Sequence, residues 1–147
     1  MRVVLDTNVL ARVVASREGP AGELFDRLQS GHLLIASPPI LTELARVLTY
    51  ERVRRLHRLN DGQIVQFLER IESGSLVVGL SKDVPCVVPH DRDDDYVVAT
   101  AVASRANVLC TRNRHLFHRE VVAYCGQRSI RVMDDLELLR RMRELEE

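Results

Sequence analysis

The sequence predicts an α/β protein, a three-layer α/β/α sandwich built around a mostly parallel sheet. Short apolar runs rich in Val, Leu and Ile alternate along the chain with stretches of helical period, the signature of strand–helix–strand units. The runs are apolar at successive positions rather than at every second one, as strands covered on both faces are. With 46% hydrophobic and 29% charged residues in a chain of 147, the composition suits a globular protein, and the length predicts one domain spanning residues 1–147.

The first run, VVLD (3–6), reads as a buried strand stopping at an acid, and NVLARVVAS as a helix with Thr7 or Asn8 placed to cap it. Gly19-Pro20 breaks the chain before a second helix, AGELFDRLQS, and a second strand, LLIAS (33–37). Ser37 ahead of Pro38 and Pro39 marks a helix start, because a hydroxyl can cap residues whose missing N–H groups cost nothing in the first turn. That helix continues through ILTELARVLTY, with Glu43 near its apolar stripe. ERVRRLHRL and DGQIVQFLERIESG read as two more helices, SLVVGL (75–80) as a third strand, and Ser81 to Pro89 as a loop. The helix DYVVATAVASRA, the strand NVLCT (107–111), a strand near IRVM and a closing helix DDLELLRRMRELEE complete the order.

The 21 basic and 21 acidic residues cancel, so bulk charge calls for neither nucleic acid nor membrane, and a nucleic-acid role must rest on local clusters. Cys86, Cys110 and Cys125 form no Cys-x-x-Cys pair and read as small core residues of a reducing compartment. The N-terminal run is too short for a signal peptide and no later run could span a bilayer, so a cytoplasmic protein without membrane partners is expected.

Chemistry concentrates in the acids. Open parallel sheets gather functional groups beyond the carboxyl ends of their strands. Asp6 follows the first strand, Asn113 lies just past the strand ending at Thr111, Asp94 begins the preceding helix, and Glu43 sits in the second turn of the helix after strand two. Taken singly, Asp6 and Asp94 could be helix caps and Glu43 a solvent-facing residue. Asp91, Asp93, Asp94 and Asp95 together are more demanding. A helix N-terminus satisfies one or two carboxylates, while two carboxylates about 4 Å apart repel by about 4 kcal/mol at an effective dielectric of 20. Solvent, arginines or a divalent cation can compensate, and an all-oxygen donor set suits Mg²⁺ or Mn²⁺.

The segments VVLDTNVL, SPPILTELARVL, DRDDDYVVATAVASRANVLCTRNRHL and IRVMDDLELL, in this order over nearly the whole chain, resemble the PIN-domain family, and within it the VapC-like ribonuclease toxins of prokaryotic toxin–antitoxin systems. The resemblance implies an α/β/α nuclease fold whose acidic quartet binds Mg²⁺ or Mn²⁺ and cleaves single-stranded RNA, with a homodimer and a small antitoxin as further partners. By position the quartet is Asp6, Glu43, Asp94 and Asn113. Asp6 and Asp94 are the expected direct metal ligands. Glu43 is expected to bind a second ion or to orient the attacking water, and Asn113 to lend a carbonyl oxygen. Thr7 and Asn8 are expected to fix Asp6, and Thr111 to bond a ligand carboxylate or a phosphate.

The family writes Thr-Gly-Asp-x-Asp-Leu where this chain has Thr111-Arg112-Asn113-Arg114-His115-Leu116, so two acids are replaced. Asp91, Asp93 or Asp95 as a substitute acid, and His115 as a ligand for a softer ion, are both open. So is a PIN-like module with weakened catalysis that binds RNA or protein. Arg112, Arg114 and Arg119 are the expected RNA contacts, whereas Arg52, Arg54, Arg55 and Arg58 read better as an ion-paired helix face. A phospho-acceptor receiver domain is set aside because no lysine follows Thr111. A phosphatase of the Asp-x-Asp type is set aside because Asp6-Thr7-Asn8 lacks the second acid.

Overall fold

A computed structural model describes residues 1–89 and 91–147, with Arg92 described by its backbone alone. Among these residues, five parallel strands form one sheet: β1 (Arg2–Leu5), β2 (Leu33–Ala36), β3 (Ser75–Val77), β4 (Val108–Cys110) and β5 (Arg131–Met133). Their spatial order is β3-β2-β1-β4-β5. The chain therefore winds outward from β1 in one direction through β3, then crosses back to lay β4 on the other side of β1. That reversal opens a crevice beyond the carboxyl ends of β1 and β4.

The helices are α1 (Thr7–Ala15), α2 (Pro20–Gly31), α3 (Pro38–Leu48), α4 (Glu51–His57), α5 (Asp61–Ser73), α6 (Arg92–Ala103), α7 (Arg119–Gly126) and α8 (Asp135–Glu146), with a 3₁₀ turn at Arg114–Phe117. They flank the sheet on both sides, giving the expected sandwich. Val3, Val4 and Leu5 are wholly buried, as a central strand covered on both faces must be. Around them Leu24, Phe25, Ile35, Ile40, Leu44, Leu109 and Leu138 continue the same core.

Several boundaries differ from the sequence reading, each for a local reason. The third strand stops at Val77 rather than Leu80: its last ladder bond, from Val78 N to Ala36 O at 3.0 Å, uses up the end of β2. The helix after β2 ends at Leu48, because Tyr50 turns extended and becomes the N-cap of α4. Between β4 and β5 the chain builds α7, which the sequence reading lacked; only Val121 and Cys125 of its eight residues are buried, too few to display a period. Cys110 and Cys125 are core residues as expected, but Cys86 is exposed in the loop before α6. Ser37 occupies the N-cap of α3, yet its hydroxyl makes no cap bond. It is buried 2.8 Å from Thr100 Oγ1, which spends its own proton on Tyr96 O at 2.7 Å, so Ser37 is the donor. This relay joins the start of α3 to the middle of α6.

Candidate metal-binding active site

Of the predicted residues, hydrogen bonds link Asp6, Thr111, Asn113 and Asp94 at the crevice between β1 and β4, with Glu43 reached through Thr7. Asp6, not Thr7 or Asn8, caps α1: its Oδ1 accepts the Thr7 N–H at 2.7 Å, and the two residues expected to cap lie inside the helix. Its Oδ2 accepts the Thr111 hydroxyl at 2.7 Å, so a carboxylate that is only 5% exposed is held from both sides. Thr111 Oγ1 in turn accepts the Asn113 N–H at 2.9 Å. Asn8 accepts the Arg112 N–H at 3.3 Å, tying α1 to the segment after β4. From α3, Glu43 receives the Thr7 hydroxyl at 3.4 Å, and Arg46 stands 3.8 Å from its other oxygen.

The four crowded aspartates divide their duties. Asp91, rather than Asp94, is the N-cap of α6, accepting from the backbone of Asp93 and Asp94 at 3.2 and 3.4 Å. Asp95 is buried, and its Oδ1 accepts from Val87 N at 2.7 Å and Val88 N at 2.8 Å, anchoring the preceding loop to the helix. Asp93 is exposed. Asp94, in the first turn of α6, is left to face the crevice, where the Asn113 side-chain amide donates to its Oδ2 at 2.7 Å. The other end of that amide, Oδ1, accepts the His115 N–H at 3.0 Å and caps the 3₁₀ turn. The carbonyl oxygen expected to face a cation is therefore engaged elsewhere, because Asn113 begins a helical turn and its oxygen is the capping atom.

Electrostatics bear on these groups as a set. Burial, above all, raises the Asp6 carboxyl from its ordinary range, with Glu43 and Asp91 adding to the rise and the bonds from Thr111 and Thr7 opposing it. Asp94 is pushed up to about 7, first by burial, then by the Asp91 carboxyl beside it, with Asp6 contributing and Asn113 opposing. Each acid thus registers the charge of others that come from different parts of the chain. A groove of about 440 Å³, lined among others by Pro38, Ile40, Glu43, Arg46, Asp93 and Tyr96, runs between α3 and α6 on the flank that carries Glu43.

One acid escaped the sequence reading. Asp135, at the start of α8 beyond β5, is fully buried, and its Oδ1 accepts from Arg112 Nε at 2.7 Å. Its Oδ2 has no hydrogen-bond partner, with Arg12 Nε at 3.9 Å. The clue was available: two acids follow the last strand, Asp134 taking the capping place that Asp6 has after the first and Asp135 the next position, inside the helix. Of the arginines expected to touch RNA, Arg112 is thus held by Asp135, while Arg114 and Arg119 are exposed on and after the 3₁₀ turn. In the other basic cluster, Arg54 pairs with Asp61 and Arg55 with Glu51, the ion-paired face expected there.

The sequence profile of the PIN domain matches residues 2–115, more than three quarters of the chain. The chain belongs to the PIN-domain family. Two solved structures share the PIN fold: VapBC2 from Rickettsia felis, crystallised with a DNA fragment from its promoter, and PAE2754 from Pyrobaculum aerophilum. The first is 15% identical, with a TM-score of 0.62 over 91% of this chain and 98% of its own. The second is 18% identical, with a TM-score of 0.56 over 98% of this chain and 90% of its own. Comparison with curated proteins gives no match.

Whether the PIN crevice suits a divalent cation can be judged from its donors. The carboxylates of Asp6 and Asp94 offer oxygen, the donor a hard ion prefers, while Asn113 turns its amide N–H rather than its oxygen toward Asp94. Among the described residues no three His, Cys, Asp or Glu side chains stand together at metal-holding distance. Asp6 and Asp94, each of which feels other acids of the crevice, are the two carboxylates that could hold such an ion, with water completing its shell as it commonly does for Mg²⁺. The crevice does not fit a closed protein cage.

Proposed function

We propose that this PIN domain is a metal-dependent endoribonuclease that hydrolyses phosphodiester bonds of single-stranded RNA, and that it is the toxin of a toxin–antitoxin pair. The observation that carries the reading is the meeting of Asp6 and Asp94 at the reversal point of the sheet, with the Asp94 carboxyl pushed up to about 7. A pair of acids so poorly reconciled to their own charge is suited to a hard cation, Mg²⁺ or Mn²⁺. When bound, such an ion acidifies water and offsets negative charge at the phosphate.

The chain's residues supply the rest. Asp6 is oriented by Thr7 and Thr111 and Asp94 by Asn113, so both carboxylates are preset. Glu43 orients the attacking water and takes its proton; the water oxygen bonds to phosphorus as the ester P–O bond opens, and the leaving oxygen takes a proton from solvent. Arg112, steadied by Asp135, offers its remaining N–H groups to a phosphate oxygen. Asn113 acts here as a positioning residue rather than a ligand, and Asp91 as a helix cap that also loads Asp94 with charge.

The antitoxin is supported by the fold shared with VapBC2, and the groove along α3 and α6 offers room for a partner segment beside Glu43. A homodimer and a cytoplasmic location accompany this reading. Among the described residues, no helix is long and apolar enough to cross a membrane.

Mn²⁺-supplemented protein is expected to degrade unstructured RNA, and Asp6→Asn and Asp94→Asn each to abolish this. Equal activity in both variants would trace the cleavage to a contaminant. Calorimetric titration with Mn²⁺ and Mg²⁺ tests the crevice independently of substrate, with one site expected and none sinking the proposal.

A second reading, a PIN module that binds without cutting, is favoured by one observation: the Asn113 amide already answers Asp94 without any cation. Asn113→Asp decides between them. A silent natural protein that gains Mn²⁺-dependent cleavage through this change is a binding module; a natural protein that cleaves is a nuclease.

A further inference from the structure

The 3₁₀ turn that follows the crevice presents an unusual surface. Leu116 is fully buried and pins the turn to the core, while His115, Phe117 and His118 are all exposed, Phe117 at 40%. With three residues per turn, His115 and His118 fall on one flank of Leu116 and Arg114 and Phe117 on the other. The His115 and His118 rings lie with centroids 6.0 Å apart and planes 28° from parallel. Arg114 and Arg119, both exposed, lie in the same short stretch of chain as the rings, and Glu120 is the only acid between residues 112 and 120. One side chain, Asn113, ties the turn to Asp94, since its amide serves both.

We propose that this turn is a stacking platform for the unpaired bases of single-stranded RNA, which it holds while the neighbouring phosphates reach the acidic crevice. The proposal rests on the nuclease reading for the identity of the ligand. Aromatic faces accept any base, and arginines beside them follow the backbone, which is the combination that binds single strands. An acidic peptide would use the arginines but would give the three exposed rings nothing to stack on.

The test is fluorescence anisotropy with a labelled, unstructured RNA of about 12 nucleotides, in EDTA so that nothing is cut. Phe117→Ala and the double variant His115→Ala with His118→Ala are each expected to weaken binding about tenfold with the salt dependence unchanged. Arg114→Ala is expected to lower the salt slope by about one. An abasic strand of equal length is expected to bind the unaltered protein as weakly as RNA binds the ring variants. This last arm needs no mutant and so survives any folding defect. Undiminished binding by the ring variants or by the abasic strand overturns the platform, as does displacement of the RNA by polyglutamate at equal charge concentration. Cleavage in Mn²⁺ with normal binding by the ring variants would remove the platform and leave the nuclease; base-dependent binding without cleavage would do the reverse.

Discussion

Asp94 makes the site sensitive to pH. Its carboxyl ionises near 3.8 when unfolded and at about 7 in the folded chain, so the folded form binds the proton more tightly. Its contribution to the stability of the metal-free protein is complete below 3.8 and is lost as the pH rises through about 7. Asp6, also raised, works in the same sense. Half-exposure of Asp94 brings its share down to roughly 1–2 kcal/mol. Thermal melts in EDTA should fall between pH 5.5 and pH 8, and Asp94→Asn should flatten that fall. Divalent ions compete with the same proton, so Mn²⁺ affinity should drop as the pH is lowered below 7, with proton release visible in buffers of different ionisation enthalpy. Asn113→Asp should tighten Mn²⁺ about tenfold by adding a charge and lower the melting temperature in EDTA, since Asp94 then meets another acid where it had a donor. The positions of Asp6, Glu43 and Asp94 were legible from their places after strands and in first or second helical turns. Which way the Asn113 amide points was not, because that depends on the turn it caps.

Helix and strand identities were read correctly wherever a long apolar period or a Pro-marked start existed, as in α3 and α5, and failed where an element is short or its boundary is set by a neighbour. The end of β3 belongs to β2, and α7 has only two buried residues to announce it. Helix α6 stops at Ala103 with Arg105 in a left-handed conformation, φ 52°, a position where glycine would have flagged the end. Arg105→Gly should stabilise the protein by about 0.5–1 kcal/mol, read from denaturant midpoints. Gly22 was read simply as part of a helix, yet a Cβ there would stand 1.9 Å from the Arg17 carbonyl oxygen. The chain between α1 and α2 passes directly over it. Gly22→Ala is therefore expected to cost about 1–3 kcal/mol by overpacking, and a variant that melts with the unaltered protein would show the connection free to move aside.

Across the whole molecule, sheet order is what turns a list of acids into a site. Neither β1 nor β4 makes the crevice alone, and the sequence implied the layers without specifying which strands are neighbours. The segment after residue 115 lies outside the PIN profile, yet it supplies β5, the buried Leu138, Leu139 and Met142 of α8, and Asp135. Leu138→Ala should cost about 2–5 kcal/mol, and a chain ending at residue 133 should be digested by protease under conditions that leave the full protein intact. Asp135 also governs how the rim behaves in use. An arginine drawn outward by a phosphate would abandon a carboxylate sealed from solvent, leaving Arg12, 3.9 Å away, as the cation beside it among the described residues. On the nuclease reading proposed above, Arg112 would be on a short leash, able to lean toward a strand but drawn home once the strand is cut, which would favour letting go of the products.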